Sequence, residues 1–469
     1  MIASMHAAAP ALFIPDPITD AVSMTRQRGK TTLVSCIEQL SLMPDPIAFL
    51  AASSASLGGG ILWQQTQSGV VFSGAGSAFE MRADGSDRFG RVSATIRNIG
   101  AILCREDERV FPIIGGFAFG VREERSTVWR AFPDSRMVIP KVLLQVDDHR
   151  ACIRITLAIE AGDTASDVNR EMRALFADAR RWADTSLPMS KGLLDFSRLS
   201  IPARTVWEST VSTAVTLIQQ HMIDKVVLAR EERLHAGHSV SPYLTLARMR
   251  SLDPETTVFA MQSDDDWFVG VTPERLVRLA HGRVDVTCLA GSTGIGQSDE
   301  QRAALAARLL ASEKEREEHE IVVRSTMNAL AEVCEDVTRL GGSPRVITAR
   351  SVQHLETPII GHLSSAGHVL DLVERLHPTP AVGGYPRDAA LTVIRELEQI
   401  DRGWYAGPFG WTDLDGAGEF VVAIRSALLS GRMASLFAGC GIVADSNPGA
   451  EYEETRFKLS PMLAALGAA

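Results

Sequence analysis

The feature that most constrains this 469-residue chain is a succession of short strand-like segments that follow one another through glycine-rich turns. Residues 58–76 have the pattern of a hairpin, residues 110–120 that of a buried strand pair, and residues 150–160 that of one strand. Consecutive strands joined by hairpins pair in antiparallel fashion, whereas parallel strands need a long crossover connection. The sequence therefore predicts an α/β protein of the α+β type, with packed mixed or antiparallel β-sheets and helices around them.

Helical periodicity interrupts these strands at several places. It predicts helices over 167–183 and 205–224, and the second helix runs directly into a strand at Lys225–Arg230. Ser298 and Gln301 have the spacing of a capping box, and the helix that they start continues to about residue 336.

The length allows two or three domains or one large unit, at about 100–200 residues per domain. A segment with two prolines and a glycine, 185–204, is the best candidate for a boundary. We therefore divide the chain into 1–30, 31–200 and 205–465, and expect the first part to be a poorly ordered extension. Its lack of Lys or Arg before Arg26 and its prolines are not typical of a secretory signal.

Composition excludes several classes of protein. The chain has 57 acidic against 47 basic residues, which is the opposite of the balance expected of a nucleic-acid-binding protein. No stretch approaches the roughly 18 uninterrupted apolar residues of a membrane span. The six cysteines are scattered without a CxxC pair, which indicates reduced thiols. We expect a cytoplasmic protein, a monomer or weak dimer, with neither nucleic acid nor membrane as a partner.

Two acidic clusters far apart in the sequence are candidates for a metal site. Glu315 and Glu318 lie three residues apart on one helical face, and Glu451 and Glu454 repeat that spacing. If the two helices faced each other, four carboxylates would surround a small hard cation, and oxygen ligands suit Mg²⁺. Taken singly, each cluster is better explained as a solvated helix face with ion pairs between neighbouring turns.

Lys225 and Glu274 are candidates for proton transfer. If the strand face that carries Lys225 is buried, a neutral amine becomes available as a general base. A lysine at the start of a strand with its charged end in solvent is the simpler alternative. Glu274 follows a Thr-Pro turn, where a buried carboxyl could stay protonated and act as an acid, or could pair with Arg275 or Arg278.

Glycines and cations near these segments have two interpretations each. The backbone at Gly291, Gly439 and Gly441 is unshielded and could bind an anion, or the glycines could mark bulges and tight bends. Arg425 and Lys458 lie beside acid-rich segments, where they could form structural ion pairs or receive a carboxylate.

Ten motifs in a fixed order connect these residues to a known family. They are IDKVVLAR, VTPERLVRL, LAGSTG, LLASEKEREEHEIVV, VQHLETPIIGHL, LHPTPAVGGYP, RGWYAGPFGW, EFVVAIRSALL, FAGCGIV and EYEETRFKLS. They cover about 205–465 almost continuously, and on them the sequence resembles the chorismate-utilising enzymes, and among these the isochorismate synthases. Upstream, ILWQQ and IIGGFAFG are similar to the N-terminal half of the same enzymes.

The resemblance implies a single large α/β unit with a Mg²⁺-dependent site that converts chorismate to isochorismate. It implies that Lys225 activates a water for attack at carbon 2 of chorismate. It also implies that Glu274, on the opposite side of the ring, protonates the hydroxyl that leaves carbon 4. A base and an acid on opposite faces suit the addition of water with loss of hydroxide.

The resemblance also implies the ligands of the metal and of the substrate. Mg²⁺ would lie on Glu318 and Glu454, with Glu315 and Glu451 contributing through water, and would bridge to the ring carboxylate. Arg425, Tyr405 and the amides near Gly439 and Gly441 would receive the enolpyruvyl carboxylate. His354, taken alone, is more simply a buried core histidine. The substrate-binding residues implied by the family are Gly291, Ser292, His354, Ala381, Tyr405, Arg425, Gly439, Gly441 and Lys458.

Three positions bear on which family member this is. Amine-forming relatives lack a lysine at the position of Lys225, so the resemblance implies water as the nucleophile and no glutaminase subunit. Ala381 stands where the amine- and salicylate-forming relatives tend to carry Thr, which favours isochorismate as the product. Tyr405 is closer to the salicylate-forming pattern, which keeps open a salicylate synthase that goes on to eliminate pyruvate. A catalytically silent relative is a minor alternative, because the base, the acid and the metal ligands are all present.

Overall fold

Helices cap and surround a large sheet in this protein. The computed structural model describes residues 12–13, 16–65, 68–121, 126–147, 150–187, 195–252, 256–349, 352–363 and 367–468. The helices are α1 (Pro17–Arg28), α2 (Pro46–Leu57), α3 (Arg88–Ile99), α4 (Ala165–Ala183), α5 (Arg204–Gln219), α6 (Pro242–Leu252), α7 (Asp299–Ala311), α8 (Glu313–Ala331), α9 (Val369–Leu376), α10 (Arg387–Leu397) and α11 (Pro448–Leu466).

Hydrogen bonds link the strands of the described residues into one sheet. In the first part of the chain they are β1 (Leu12–Phe13), β2 (Thr32–Leu40), β3 (Ile61–Gln65), β4 (Val70–Arg82), β5 (Leu103–Arg105), β6 (Ile113–Phe117), β7 (Ser135–Asp147), β8 (Arg150–Ile159) and β9 (Phe196–Ile201). In the second part they are β10 (Lys225–Ala236), β11 (Thr257–Ser263), β12 (Asp266–Thr272), β13 (Arg275–Ala280), β14 (Arg283–Gly294), β15 (Cys334–Arg339), β16 (Arg345–Ala349), β17 (Val352–Leu363), β18 (Gly384–Tyr385), β19 (Pro408–Thr412), β20 (Gly418–Val422), β21 (Ser426–Ser430) and β22 (Met433–Ile442).

The sheet has one long run and one branch. The long run has the order β9–β10–β22–β21–β12–β11–β3–β4–β7–β8–β2–β5–β1. The branch leaves β7 in the order β6–β19–β20–β13–β14–β17, and both β15 and β16 pair with β17. Only β5 is paired in parallel, with β1 and β2, among the described strands. This arrangement confirms the predicted α+β class with mainly antiparallel pairing.

The two halves of the sequence share this sheet. Strand β3 pairs with β11, and β6 pairs with β19, so strands from 31–200 lie between strands from 205–465. Of the predicted boundary at 185–204, residues 188–194 lie outside the described residues, and Phe196–Ile201 forms β9 along β10. One hydrophobic core likewise contains Trp63 and Trp129 from the first half and Trp404 from the second.

Two of the predicted strand segments differ in outcome. The hairpin at 58–76 is confirmed, because β3 and β4 pair with Ile61 opposite Gly74. The strand pair at 110–120 is wrong, since a single strand, β6, forms there. It pairs with β7 on one edge and β19 on the other, and all five of its residues are buried, so apolar residues lie on both of its faces.

Helix α1 lies within the segment predicted to be a poorly ordered extension, and the structure contradicts that prediction for its residues. The Asp16 side chain accepts a hydrogen bond from the Thr19 amide at 3.2 Å, Pro17 occupies the first turn, and Gly29 ends the helix with φ +62°. Its apolar face packs into the core beneath β2 and β8. Residues 1–11 lie outside the described residues.

The predicted helix from Ser298 consists of two helices. Ser298 does cap α7, since its hydroxyl accepts from the Gln301 amide at 3.2 Å, but the Gln301 side chain accepts from Gln297 instead of from Ser298. The chain bends at Ser312, which ends α7 and caps α8. The bend puts Glu315 in the first turn of α8.

All six cysteines are free thiols, five of them buried and Cys334 half-buried. No helix among the residues that the structure describes is long and apolar enough to cross a membrane.

Candidate active site

Lys225 begins β10 and is buried, with 5% of its surface exposed. Its Nζ donates to Oε1 of Glu318 on α8 at 2.5 Å. Its side chain runs along Gly441 of β22, where an added Cβ would come within 2.8 Å of the Lys225 Cε. The simpler alternative of a solvated lysine is therefore wrong, and Gly441 makes room for the amine.

Glu274 lies between β12 and β13, with its amide bonded to the Thr272 hydroxyl at 3.2 Å. No described residue lies within hydrogen-bond distance of its carboxyl group. Burial raises the pKa of this carboxyl to about 7, against the opposing charges of Lys458, Arg425 and Lys225. At neutral pH a substantial fraction of Glu274 is therefore protonated, as a general acid must be, and Lys225 is close enough for its charge to act on it.

Arg425 and Tyr405 come from segments next to Glu274. Arg425 follows β20 with φ +48°, in the left-handed region, which costs energy for a side chain with a Cβ and is common at functional sites. Tyr405 is buried, and burial raises the pKa of its phenol. A Cβ at Gly439 would lie 3.4 Å from the Tyr405 hydroxyl, so the hydroxyl lies over Gly439.

Lys458 connects α11 to β22, the strand that carries Gly439. Its Nζ donates to the Gly439 carbonyl at 3.0 Å and pairs with Glu454 at 2.8 Å. Its charge also acts on Glu274 and on His354. Lys458 is therefore both an ion-pair partner and a cation of the site, so neither interpretation excludes the other.

A bulge in β14 brings three further residues together. Gly291 has φ +75° and interrupts the register with β17, and a Cβ there would lie 3.2 Å from the Glu315 carboxylate. The Ser292 amide donates to that carboxylate at 3.1 Å, and the Ser292 hydroxyl lies 2.8 Å from Nδ1 of His354. The bulge therefore orients Glu315 and His354 toward one place.

His354 carries no charge at neutral pH. Burial, together with the charges of Arg425 and Lys458, lowers its pKa to about 4. A neutral imidazole beside two cations can donate or accept one hydrogen bond without repelling them. His354 is half-buried and not a core histidine, and it lies among the site residues.

The carboxylates of α8 and α11 have the chemistry of a cation site. Oε2 of Glu451 is buried without a hydrogen-bond partner, and burial together with the charge of Glu454 raises the pKa of Glu451. Glu318 is held by Lys225 at 2.5 Å. An unbonded carboxylate oxygen close to other carboxylates fits a hard divalent ion.

The arrangement of the four glutamates is less complete than the sequence predicted. In the part of the chain that the structure describes, no three His, Cys, Asp or Glu side chains already form a metal-holding group. The Mg²⁺ ligands Glu315, Glu318, Glu451 and Glu454 therefore stay a prediction.

Ala381 lies at the edge of this arrangement. It is half-buried in the loop between α9 and β18, whose Gly383 carbonyl accepts from the Val227 amide at 2.9 Å. A cavity of about 530 Å³ lies beside this loop, between α8, α9 and Tyr385, which pairs with Lys225. That volume is in the range of small-molecule sites. Glu274, Arg425 and Lys458 do not line it, so it adjoins the site and does not contain it.

One residue that the sequence analysis missed is His319. It follows Glu318 on α8 and is buried, with Nδ1 3.1 Å from the Ala290 carbonyl and Nε2 2.7 Å from the Thr357 hydroxyl. Because a carbonyl only accepts, Nδ1 carries the proton, and burial lowers the pKa of the ring. His319 thus fixes α8 to β14 and β17. The only sign of this role in the sequence is that His319 lies beside Glu315 and Glu318 on α8.

Together these residues define a class of protein. A buried lysine and a desolvated carboxylic acid lie within one field of cations, next to glycines and to a carboxylate oxygen of Glu451 that has no partner. Such a set of groups is typical of an enzyme that transfers protons on a small anionic substrate.

Comparisons with known proteins identify the family. Residues 19–467 match the profile of the family described as chorismate binding enzyme. The chain is 34% identical over 467 residues to isochorismate synthase MenF of Bacillus subtilis (strain 168), which covers 96% of this chain and 97% of that protein. The chain therefore belongs to the chorismate-binding enzyme family.

Two further comparisons agree. The salicylate biosynthesis isochorismate synthase of Pseudomonas aeruginosa is 36% identical over 412 residues, covering 87% of this chain and 85% of that protein. The solved structure of MenF, the menaquinone-specific isochorismate synthase from Escherichia coli, has a TM-score of 0.79 and 25% identity over 96% of this chain and 100% of that chain. The likeness in fold thus extends over nearly the whole molecule.

Proposed function

We propose that this enzyme isomerises chorismate to isochorismate. One observation carries the proposal: buried Lys225 lies near Glu274, whose carboxyl is desolvated and has a pKa of about 7. A protonated acid is therefore available at neutral pH close to the lysine that we propose as the base. Relatives named isochorismate synthase that align over most of the chain support the same activity.

The proposed reaction exchanges one hydroxyl position for another. Water attacks carbon 2 of chorismate while the Lys225 amine accepts a proton from that water. The two ring double bonds shift, the bond between carbon 4 and its oxygen breaks, and Glu274 gives its proton to the departing hydroxyl. One water enters and one water leaves, so the product is an isomer of the substrate. Each proton transfer of this kind contributes about 10²–10⁴-fold to the rate.

The remaining residues are proposed to hold the dianionic substrate. Arg425 and Lys458 supply positive charge, and the backbone at Gly439 and Gly441 is open to an anion. When bound, Mg²⁺ would neutralise the glutamates and attract the ring carboxylate of chorismate. The residues proposed to hold it are Glu315, Glu318, Glu451 and Glu454.

The test is a product analysis with purified enzyme, chorismate and Mg²⁺. We expect isochorismate by chromatography, and no new product when an ammonium salt is added. Lys225→Ala should remove turnover, whereas Lys141→Ala should not, because Lys141 pairs with Glu171 on the surface. Equal activity of the two variants, or absence of isochorismate from the wild-type reaction, would contradict the proposal.

A second candidate is a salicylate synthase, which would go on to eliminate pyruvate from isochorismate. Tyr405 favours it, since this residue is closer to the salicylate-forming pattern, and its hydroxyl lies over Gly439 in the site. The same reaction mixture decides between the two. Sustained salicylate fluorescence with release of pyruvate, without an added lyase, would favour the salicylate synthase.

A further inference from the structure

The strand that carries Lys225 has a gap along one edge. Strand β10 pairs with β22 from Val226 to His235 on one side. On its other side it pairs with β18 only at Lys225 and Val226, and with β9 only from Glu231 to Ala236. Among the residues that the structure describes, no strand therefore lies along this edge at 227–230, two residues from the Lys225 amine. Buried backbone groups at such a gap need other partners.

An ion pair between Glu398 and Arg402 supplies those partners. The Glu398 carboxylate accepts from the Ala229 amide at 2.7 Å, and an Arg402 Nη donates to the Val227 carbonyl at 2.7 Å. The two side chains bond each other through Arg402 Nε and Glu398 Oε2 at 2.8 Å. Both are about 5% exposed. The pair therefore takes the place of a missing strand.

The same arginine reaches two other segments of the site. Its second Nη donates to the Val382 carbonyl at 2.8 Å, next to Ala381 in the loop between α9 and β18. Its own carbonyl accepts from the Tyr405 amide at 2.9 Å, and its guanidinium stacks on Phe119 at 4.2 Å from the ring centre. One buried ion pair thus joins the Lys225 strand, the Ala381 loop and the Tyr405 turn.

We propose that Glu398 and Arg402 are positioning residues that fix Lys225 relative to Ala381 and Tyr405. This inference rests on the proposed function, because it gives the pair a role in the same reaction. Neither side chain contacts Lys225 or Glu274, so the pair acts through the backbone of β10 and of the two loops. A planar guanidinium can serve three carbonyl or carboxylate partners at once, and a lysine ammonium cannot match that geometry.

Arg402→Lys tests the proposal, with Arg154→Lys as a matched control. Arg154 is also a buried arginine, and it holds Asp107 through two bonds of 2.8 Å in the first half of the chain. We expect both variants to lower the melting temperature. Only Arg402→Lys should lower kcat per folded molecule, by about 10–100-fold, since a misplacement of 1 Å can cost about 10²-fold. The Mg²⁺ concentration for half-maximal activity should change less than about twofold, because no metal ligand is on the braced segments.

Hydrogen–deuterium exchange provides a readout that does not depend on the substrate. The Ala229 amide should exchange at least about tenfold faster in Arg402→Lys than in the wild type, and at the wild-type rate in Arg154→Lys. If Arg402→Lys fails to fold, Glu398→Gln can be used instead. This variant keeps an acceptor for the Ala229 amide, so we expect smaller changes in kcat and in the exchange rate of that amide. Equal kcat in Arg402→Lys and Arg154→Lys, or unchanged exchange at Ala229, would overturn the positioning role. Absence of isochorismate from the wild-type reaction would instead refute the proposed function, while the exchange experiment still decides about the pair.

Discussion

Two acids in different halves of the molecule, the buried Asp107 and the half-buried Glu274 with its desolvated carboxyl, have opposite surroundings. Asp107, between β5 and β6, is bonded by both terminal nitrogens of Arg154 at 2.8 Å and by the Arg109 amide at 3.0 Å. Glu274, between β12 and β13, has three cations in range but no bonded partner for its carboxyl group among the described residues. The first acid is neutralised within the chain, and the second keeps its bonding capacity for something else.

The difference between the two carboxyl groups separates a structural ion pair from a candidate catalytic group. The Asp107 carboxylate has ionic and hydrogen-bond partners within the chain, because an unpaired buried charge is costly. The Glu274 carboxyl has no such partner among the described residues, and the left-handed backbone at Arg425 and the unbonded Oε2 of Glu451 are further unfavourable features of the candidate site. A desolvated acid without a bonded partner, with several cations around it, is typical of a site that a ligand completes.

The largest effect expected is that of removing either acid. Glu274→Gln should lower kcat about 10²–10⁴-fold, because the amide cannot give a proton to the leaving hydroxyl. Asp107→Asn should leave kcat per folded molecule unchanged but lower the free energy of unfolding by about 3–5 kcal/mol, because Arg154 loses its partner. Steady-state kinetics and denaturant unfolding measure the two. If the two variants show the same profile, the contrast between the acids is wrong.

Crowding Lys225 should have the next largest effect. The Cβ of Gly441→Ala would meet the Lys225 side chain at 2.8 Å, so the amine must move. We expect a loss in kcat of about 10²-fold with little change in melting temperature. Gly237→Ala is the control, since nothing lies within 4 Å of a Cβ there. Normal turnover in Gly441→Ala would show that the position of the amine is not critical.

Two adjacent glutamates of α11, Glu453 and Glu454, provide a test of the predicted Mg²⁺ site. Glu454→Gln should raise the Mg²⁺ concentration for half-maximal activity by at least about tenfold, because an amide is a poorer ligand than a carboxylate. Glu453→Gln should not, since Glu453 pairs with Arg204 and Arg456 on the outer side of α11. A metal titration of both variants measures the difference. The same curve for both would argue against a metal ion at α11.

The smallest effect is a pH dependence. The pKa of Glu274 is raised to about 7, so its acidic form is lost as the pH rises through that value, and kcat/KM should fall about tenfold per unit above it. His354, with a pKa of about 4, does not titrate in this range. A raised carboxyl pKa stabilises the fold at low pH, and that contribution is lost as the pH rises from about 4.5 through 7. Glu274→Gln should therefore lose less stability than the wild type between pH 5 and pH 8, and a flat activity profile would contradict the acid role.

The sequence allowed us to predict which residues come together around Lys225, but not the residues that support them. Lys225, Glu274 and the glycines stand in motifs whose order is specific, so their meeting could be expected from the family resemblance. Glu398 and Arg402 have an ordinary i,i+4 spacing at the end of α10. What makes them important is the gap beside β10, which depends on which strands pair and is not visible in local sequence.

Local errors have physical reasons too. Helix α1 was not predicted, although Asp16, Pro17 and Gly29 are good start and stop signals. The segment 110–120 was predicted as two strands because its apolar run is long. In the sheet this run is one strand with neighbours on both edges, and burial on two faces removes the alternation that would have shown its length.

The interleaving of the two halves limits how this molecule can be cut. A fragment that began at residue 205 would lose β3 from beside β11, β6 from beside β19 and β9 from beside β10. It would then present three unprotected strand edges and a bare apolar surface, which are the conditions for aggregation. The chemistry of the second half cannot be transplanted as an autonomous module, and engineering of this scaffold has to keep the whole chain.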